Sequence, residues 1–284
     1  MNKTVGKLYV VGTPIGNLDD LSYRACETLK QVDWIAAEDT RESRKLLEHY
    51  NIKKEMVSLH NYNELDRCQY LIERLQQGED GALISDAGTP CVSDPGAKLV
   101  QALYKEKIDV VPIPGPCAAI AAYSAAGLVN SSFIFIGFLP AKSQGRKKRL
   151  LEISKLSSTL VFYEAPHRIK DMLFDCHEIL EKERRIVVAR ELTKKYESLY
   201  TGTIESIFND VQTDTIPARG EFVVLIDGAG EKTESDLDEE EIKAKNILKI
   251  LLAELKLKQA VNIATQLTGS PKNKLYSWAI DLKK

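Results

Sequence analysis

The sequence predicts an α/β protein: two α/β domains followed by a small helical module. Three observations carry that expectation. Short β-rich apolar runs alternate with helical patterns from residue 7 onward, the alternation restarts after an alanine-rich segment near residue 118, and charge changes sharply after residue 228. The boundaries that follow are 1–117 for the first domain, 118–228 for the second and 229–284 for an acidic linker with its helical module.

At 284 residues, 44% hydrophobic and 28% charged, with a formal charge of −2, the chain has the composition of an ordinary globular protein with room for two cores. It opens "MNKTVGKLYVVG", without an apolar run of signal length, and no segment approaches 18 uninterrupted apolar residues. A cytoplasmic protein with no membrane association is expected. The five cysteines are scattered with no CxxC pair, and the four histidines form no HExxH cluster. Reduced, packed thiols and no metal are the expectation.

Strands are expected at 7–11, 33–37, 56–59, 82–85 and 109–112. Leu18, Leu21, Ala25, Leu29 and Val32 step by three or four and form one apolar helical face between the first two. The first strand runs into "GTPIGNLDD". Gly12, Pro14 and Gly16 give GxPxG where a dinucleotide loop has GxGxxG. Pro14 removes a backbone donor, and Asp19 and Asp20 put negative charge at the helix start where a phosphate would sit. That opposes a nicotinamide-dependent oxidoreductase and favours a neutral or cationic nucleoside-like ligand.

"LISDAGTPCVSDPG" places Asp86 at the carboxyl end of a strand, Gly88 where a ligand can approach backbone, and Thr89 as a hydroxyl. Ser93, Asp94 and Pro95 read as the cap of the next helix. "VVPIPGPCAAIAAYSAAG" ends a strand in prolines around Gly115 and opens a helix of small residues with no acid at its start. Pro116, Cys117 and Ala118 are candidate walls of a nucleoside pocket. In the second half, "ELTKKYESLYTG" reads as two strands around a turn, so the second sheet is expected to be partly antiparallel.

Residues 229–241 hold seven acids against one base, whereas 242–284 hold nine lysines against two acids. Within that tail Ala260, Val261, Ala264 and Leu267 form one stripe and Leu275, Trp278, Ala279 and Leu282 another. Thr268–Gly269 stops the first helix; Ser270 and Pro271 cap and open the next. The pair resembles a helix-turn-helix or a packed helical hairpin.

The segments "VGTPIGN", "AEDTR", "SDAGTP", "PGPCAA", "GFLPAK", "FYEAPHR", "ARELTK" and "GEFVVLI" together resemble the tetrapyrrole-methylase superfamily of S-adenosylmethionine-dependent methyltransferases. Within it they are similar to the bacterial enzymes that methylate the ribose 2′-hydroxyl of a decoding-centre cytidine in 16S ribosomal RNA. The resemblance implies a homodimer acting on 16S rRNA or the 30S subunit, with S-adenosylmethionine held in the interdomain cleft. Carried residue by residue, it implies that Thr13, Pro14 and Gly16 line the cleft floor. Asp86, Ala87, Gly88, Thr89, Pro116, Cys117 and Ala118 would hold the cofactor, and Tyr163, Glu164, Leu192, Gly220 and Glu221 would close over it.

Since a ribose hydroxyl is a poor acid, a base within reach would help. Glu38 or Asp39, then Glu164, are the leading candidates, with His60, His167, Glu191 and Lys194 as others. Phosphate contacts need cations, and these are sought in Lys142, Arg146, Lys147, Lys148 and Arg149 of the acid-free "AKSQGRKKRL" and in Lys272 and Lys274 of the tail. A tetrapyrrole C-methyltransferase and a non-catalytic RNA-binding protein are the alternatives.

Overall fold

The structure is a computed structural model that describes residues 4–60, 63–230 and 234–282. They form two compact units, Met1–Ala229 and Gly230–Lys284. Among the described residues no helix is long and apolar enough to cross a membrane, and no group of three or more metal-ligating side chains occurs.

The first unit contains two five-stranded sheets. Strands β1 (Leu8–Val11), β2 (Trp34–Ala37), β3 (Glu55–Ser58), β4 (Gly81–Ile84) and β5 (Val110–Ile113) form the first, in the order β3-β2-β4-β1-β5 with every pair parallel. Helices cover both faces, so the strands read as continuous apolar runs. Ile35, Ala37, Ala82 and Ile84 belong to one core, with Leu29 of α1 (Tyr23–Gln31) and Leu46 of α2 (Thr40–His49). Trp34, Ala36 and Leu83 belong to the other, with Leu71 of α3 (Glu64–Gln76) and Leu99 of α4 (Ala97–Lys105). Parallel strands send all their carboxyl ends to one edge, which is where this architecture can hold a ligand.

The second sheet comprises β6 (Phe133–Phe138), β7 (Thr159–Glu164), β8 (Arg185–Arg190), β9 (Ser198–Thr203) and β10 (Phe222–Ile226) in the order β6-β7-β10-β8-β9. Only β6 and β7 are parallel; the other pairs are antiparallel, in line with the expected mixed sheet. On one face pack α6 (Ser143–Ile153), α7 (Ile169–Ile179) and α8 (Ile204–Gln212). On the other lies α5 (Ala118–Ala125), whose Ala119 and Ala122 let the helix sit close against Val161, Val187 and Val223. The small-residue helix is thus a packing device as well as a candidate pocket wall.

The second unit packs α9 (Glu234–Glu254), α10 (Leu257–Thr268) and α11 (Lys272–Asp281) around Ala244, Leu248, Ala260, Val261, Ala264, Leu275 and Ala279. Gly269, at φ 69°, ends α10 in the left-handed conformation that glycine adopts at no steric cost.

Several local expectations are corrected. The acidic stretch is mainly helix from Glu234 onward; residues 231–233 lie outside the described residues. Leu267 and Leu282 fall off their stripes and are exposed. The cap of α11 is Pro271, one residue later than expected. Asp19 and Asp20 lie in a 3-10 turn, Leu18–Asp20, and Ser22 caps α1 by accepting from Ala25 N at 3.1 Å. The apolar face of α1 therefore begins at Leu21, with Leu18 outside it. Ser93, Asp94 and Pro95 do not cap α4. Its first amides instead donate to Glu64 Oε1 of α3, Gly96 N at 3.1 Å and Lys98 N at 2.9 Å, a partner 32 residues or more away in sequence.

Candidate functional site

At the carboxyl edge of the first sheet two glycine loops meet backbone to backbone. A Cβ on Gly12 would stand 2.8 Å from Gly115 Cα, so no side chain fits at either position. Thr13 pairs with Gly88 and its Oγ1 donates to Ser85 O at 3.1 Å. Thr89 Oγ1 donates to Pro116 O at 3.0 Å. These bonds tie the loops after β1, β4 and β5 into one floor.

Above that floor lies a cavity of about 510 Å³. Its walls come from the ends of β2 and β4 in the first sheet and of β6, β7, β8 and β10 in the second. Apolar contact is offered by Ile15, Cys117, Ala118, Phe138, Tyr163 and Leu192, while Glu38, Asp86, Asp94, Glu164 and Glu221 supply charge. No lysine, arginine or histidine is among the described residues lining it. Glu164 pairs with Arg168 at 3.1 Å and Glu221 with Lys194 at 2.9 Å, while Glu38, Asp86 and Asp94 have no ion-pair partner among the described residues; these three favour a positively charged or hydrogen-bond-donating guest over an anion.

The carboxylates are not equivalent. Glu38 is pushed up to about 7 by burial and then by the charges of Asp94 and Asp86. Burial likewise raises Asp86 and Asp94 from their ordinary values. Glu164 is buried, and its Oε1 accepts from Ala165 N at 2.8 Å and stands 3.1 Å from Arg168 Nε. Its Oε2 has no protein partner. A buried carboxylate oxygen on a cavity wall without a donor is a vacancy in the hydrogen-bond accounting that a ligand can fill.

Of the residues expected to hold a cofactor, Asp86, Ala87, Gly88, Thr89, Cys117, Ala118, Tyr163, Glu164, Leu192 and Glu221 line this cavity together. Tyr163 accepts from Ala119 N at 3.1 Å, fixing the start of α5. Thr13 and Pro14 are buried beneath the lining, and Pro116 contributes the carbonyl that holds Thr89. Gly16 is exposed and packs against Lys194, and Gly220, at φ 87°, packs against the Glu191 carboxyl. These five act as supports and do not line the cavity.

Asp39 is corrected. Its carboxylate caps α2, accepts from Arg41 N at 2.8 Å and pairs with the Arg41 guanidinium at 2.9 Å, which holds it down near 2. It is a weak base and is not among the residues lining the cavity. Asp94 was missed, because a Ser-Asp-Pro run before a helix reads locally as a cap. The loop around it takes a different course, with Cys91 and Ser93 at φ 68° and 67° and Gly96 at 121°, and turns Asp94 onto the cavity wall. Ile15 and Phe138 were also missed, and nothing in their local pattern marks them.

Arg146 is corrected too. It is 3% exposed and bonds to Asp175, so it is unavailable to a phosphate. Lys147 is half-buried and paired with Glu178. Lys142, Lys148 and Arg149 are exposed. In the second unit Lys272 is exposed, whereas Lys274 pairs with Glu241 and lies 5.2 Å from the centre of the Trp278 ring.

Comparison with known proteins bears on this arrangement. Residues 7–207 match the family of tetrapyrrole (corrin/porphyrin) methylases, and residues 236–283 match the RsmI C-terminal HTH domain. Proteins described as ribosomal RNA small subunit methyltransferase I are similar over nearly the whole length. That of Haemophilus influenzae is 47% identical over 281 residues, covering 99% of this chain and 98% of the relative. That of Pseudomonas aeruginosa is 47% identical over 279 residues, covering 98% of both chains. Among solved structures, the methyltransferase CobJ superposes with a TM-score of 0.59 at 22% identity, covering 79% of this chain and 95% of that one. Uroporphyrin-III-C-methyltransferase of Thermus thermophilus gives 0.52 at 20%, covering 78% and 94%. The chain therefore belongs to the tetrapyrrole methylase family, in the branch of the small-subunit ribosomal RNA methyltransferases I.

Proposed function

We propose that this protein transfers a methyl group from S-adenosylmethionine to the ribose 2′-hydroxyl of a decoding-centre cytidine in 16S rRNA. It would act in the cytoplasm, as a homodimer, on the RNA or the 30S subunit. The observation that carries the reading is the cavity in which Glu38, Asp86 and Asp94 stand together without an ion-pair partner among the described residues. The relatives' description as ribosomal RNA small subunit methyltransferases supports the choice of substrate. The lining residues fit the cofactor: the carboxylates suit a cation, the unpartnered Glu164 Oε2 asks for a donor, and Ala118 leaves room beside backbone.

S-adenosylmethionine, when bound, supplies a methyl group already activated on a positive sulfonium. The chain has then to orient a hydroxyl and take its proton. Asp86 to Thr89 and Cys117–Ala118 hold the cofactor from the first sheet's side; Tyr163, Glu164, Leu192 and Glu221 hold it from the other. Glu38, raised to about 7, is partly ionised at neutral pH and basic enough to accept the ribose proton. Asp86 and Asp94 keep that proton affinity high. Lys142, Lys148 and Arg149 on and before α6, with Lys272 on α11, attract phosphates while the cavity itself rejects them.

A polyanionic tetrapyrrole is a poor guest for this charge pattern. Purified protein with methyl-labelled S-adenosylmethionine is offered 30S subunits, naked 16S rRNA and a porphyrinogen. Label in RNA is the expected result, and label confined to the macrocycle overturns the reading.

A further inference from the structure

The last residue of β6 points the wrong way for a regular strand. Ile134 and Ile136 pack on the core beneath α6, α7 and α8, while Phe135 packs on the opposite core with Tyr163. Strict alternation would return residue 138 to the face of Ile134 and Ile136. It does not, because pairing with β7 shifts between Phe135 and Gly137: Phe135 opposes Val161, Gly137 opposes Phe162, and Ile136 is left over. Gly137 takes φ 71°, the left-handed conformation that such a bulge requires. The bulge re-aims Phe138 to the cavity side, 5.9 Å from the Tyr163 ring centre.

There Phe138 lines the cavity yet remains 54% exposed. An aromatic ring turned outward at a cavity mouth by a backbone irregularity has a surface to offer a guest. Of the other aromatics on the wall, Phe222 is buried, and Tyr163 is flanked by Phe135 and Phe138 while its hydroxyl accepts from Ala119 N. Five residues beyond Phe138 begins α6, with Lys142, Lys148 and Arg149 exposed. Cations a few residues along the chain from an exposed aromatic fit the way proteins hold unpaired nucleotides, phosphates on basic side chains and a base on the ring. The carboxylate walls bar phosphates from the cavity, so the base and ribose of one nucleotide are the parts that can approach it.

We propose that Phe138 is the stacking platform for the base of a nucleotide drawn out of the RNA strand, holding its ribose over the cavity. The proposal rests on the RNA reading above and adds how the substrate is presented: as a single extruded nucleotide, not a paired one.

The test compares wild type with Phe138→Leu and Phe138→Tyr, using 30S subunits and labelled S-adenosylmethionine, with cofactor affinity measured separately by calorimetry. Leucine keeps apolar bulk and removes the π face; tyrosine keeps the face. Loss of one stacked base is worth about tenfold or more. The expected result is kcat/KM for 30S lowered about tenfold or more in Phe138→Leu, near wild type in Phe138→Tyr, with cofactor Kd unchanged in both. Wild-type kcat/KM in Phe138→Leu overturns the proposal. So does a parallel loss of cofactor affinity, which would place the ring against the cofactor, or a changed sedimentation coefficient, which would place it in a subunit contact. A wild-type enzyme that labels no RNA at all instead removes the RNA reading itself.

Discussion

Arg146 Nε and Asp175 Oδ2 stand 2.5 Å apart between α6 and α7, with both side chains almost fully buried. Ser143 Oγ also donates to Asp175 at 3.0 Å, and Arg146 reaches Ala141 O at 3.1 Å. The most central cation of a run that looks like an RNA clamp is thus the internal tie of the helix that presents the others. Removing one member of such a pair leaves a buried charge without its partner and costs about 3–5 kcal/mol. Arg146→Ala should therefore show a large drop in the denaturant midpoint.

Lys148 and Arg149 should behave in the opposite way. Both are exposed, and Arg149 makes only a surface pair with Glu152 at 3.1 Å, an interaction of small value. Replacing both by alanine should leave stability within about 0.5 kcal/mol. The slope of log K for RNA against log salt should shrink by about one to two. Filter binding across a salt series measures it, and an unchanged slope would remove these two residues from the interface.

Glu38 sets a pH dependence of known sign. Its carboxyl is raised to about 7, so activity requiring its ionised form should rise with pH through that value and level off above it. In Glu38→Gln turnover should fall steeply and the limb near 7 should vanish, with cofactor affinity nearly kept. Stability runs the other way. A carboxyl that holds its proton more tightly when folded contributes stability present below its ordinary titration range and lost as pH rises toward about 7. Thermal melts of Glu38→Gln should accordingly lose less between pH 5 and pH 8 than those of wild type.

Gly12 and Gly115 offer a test of the floor. A Cβ on Gly12 would meet backbone at 2.8 Å, which cannot turn aside as a side chain would. Gly12→Ala should cost about 1–3 kcal/mol and weaken cofactor binding by separating the loops. Gly230→Ala, where a Cβ meets nothing within 4 Å, should do neither.

Much of the fold was legible because the signals were local and repeated. Apolar runs such as "LYVV" and "FVVLI" marked strands to within a residue or two. The strand-end glycine loops also led to residues that line one cavity, since parallel strands bring their carboxyl ends together whatever the ligand. What stayed hidden was decided by tertiary partners. Glu64 caps α4 from another helix, which freed Asp94 for the cavity. Asp175 claims Arg146 from 29 residues away, and a one-residue slip in pairing redirects Phe138. Spacing along the chain carries no trace of such partners.

Delivery of a methyl group from the carboxylate-lined cavity to a ribose oxygen leaves a product that can be read directly. Small subunits lacking the modification are incubated with the protein and S-adenosylmethionine, and their 16S rRNA is digested to nucleosides and read by mass spectrometry. One 2′-O-methylcytidine per subunit, absent with Glu38→Gln, is the predicted result. Methylation on a base, or full 2′-O-methylation by Glu38→Gln, would contradict it.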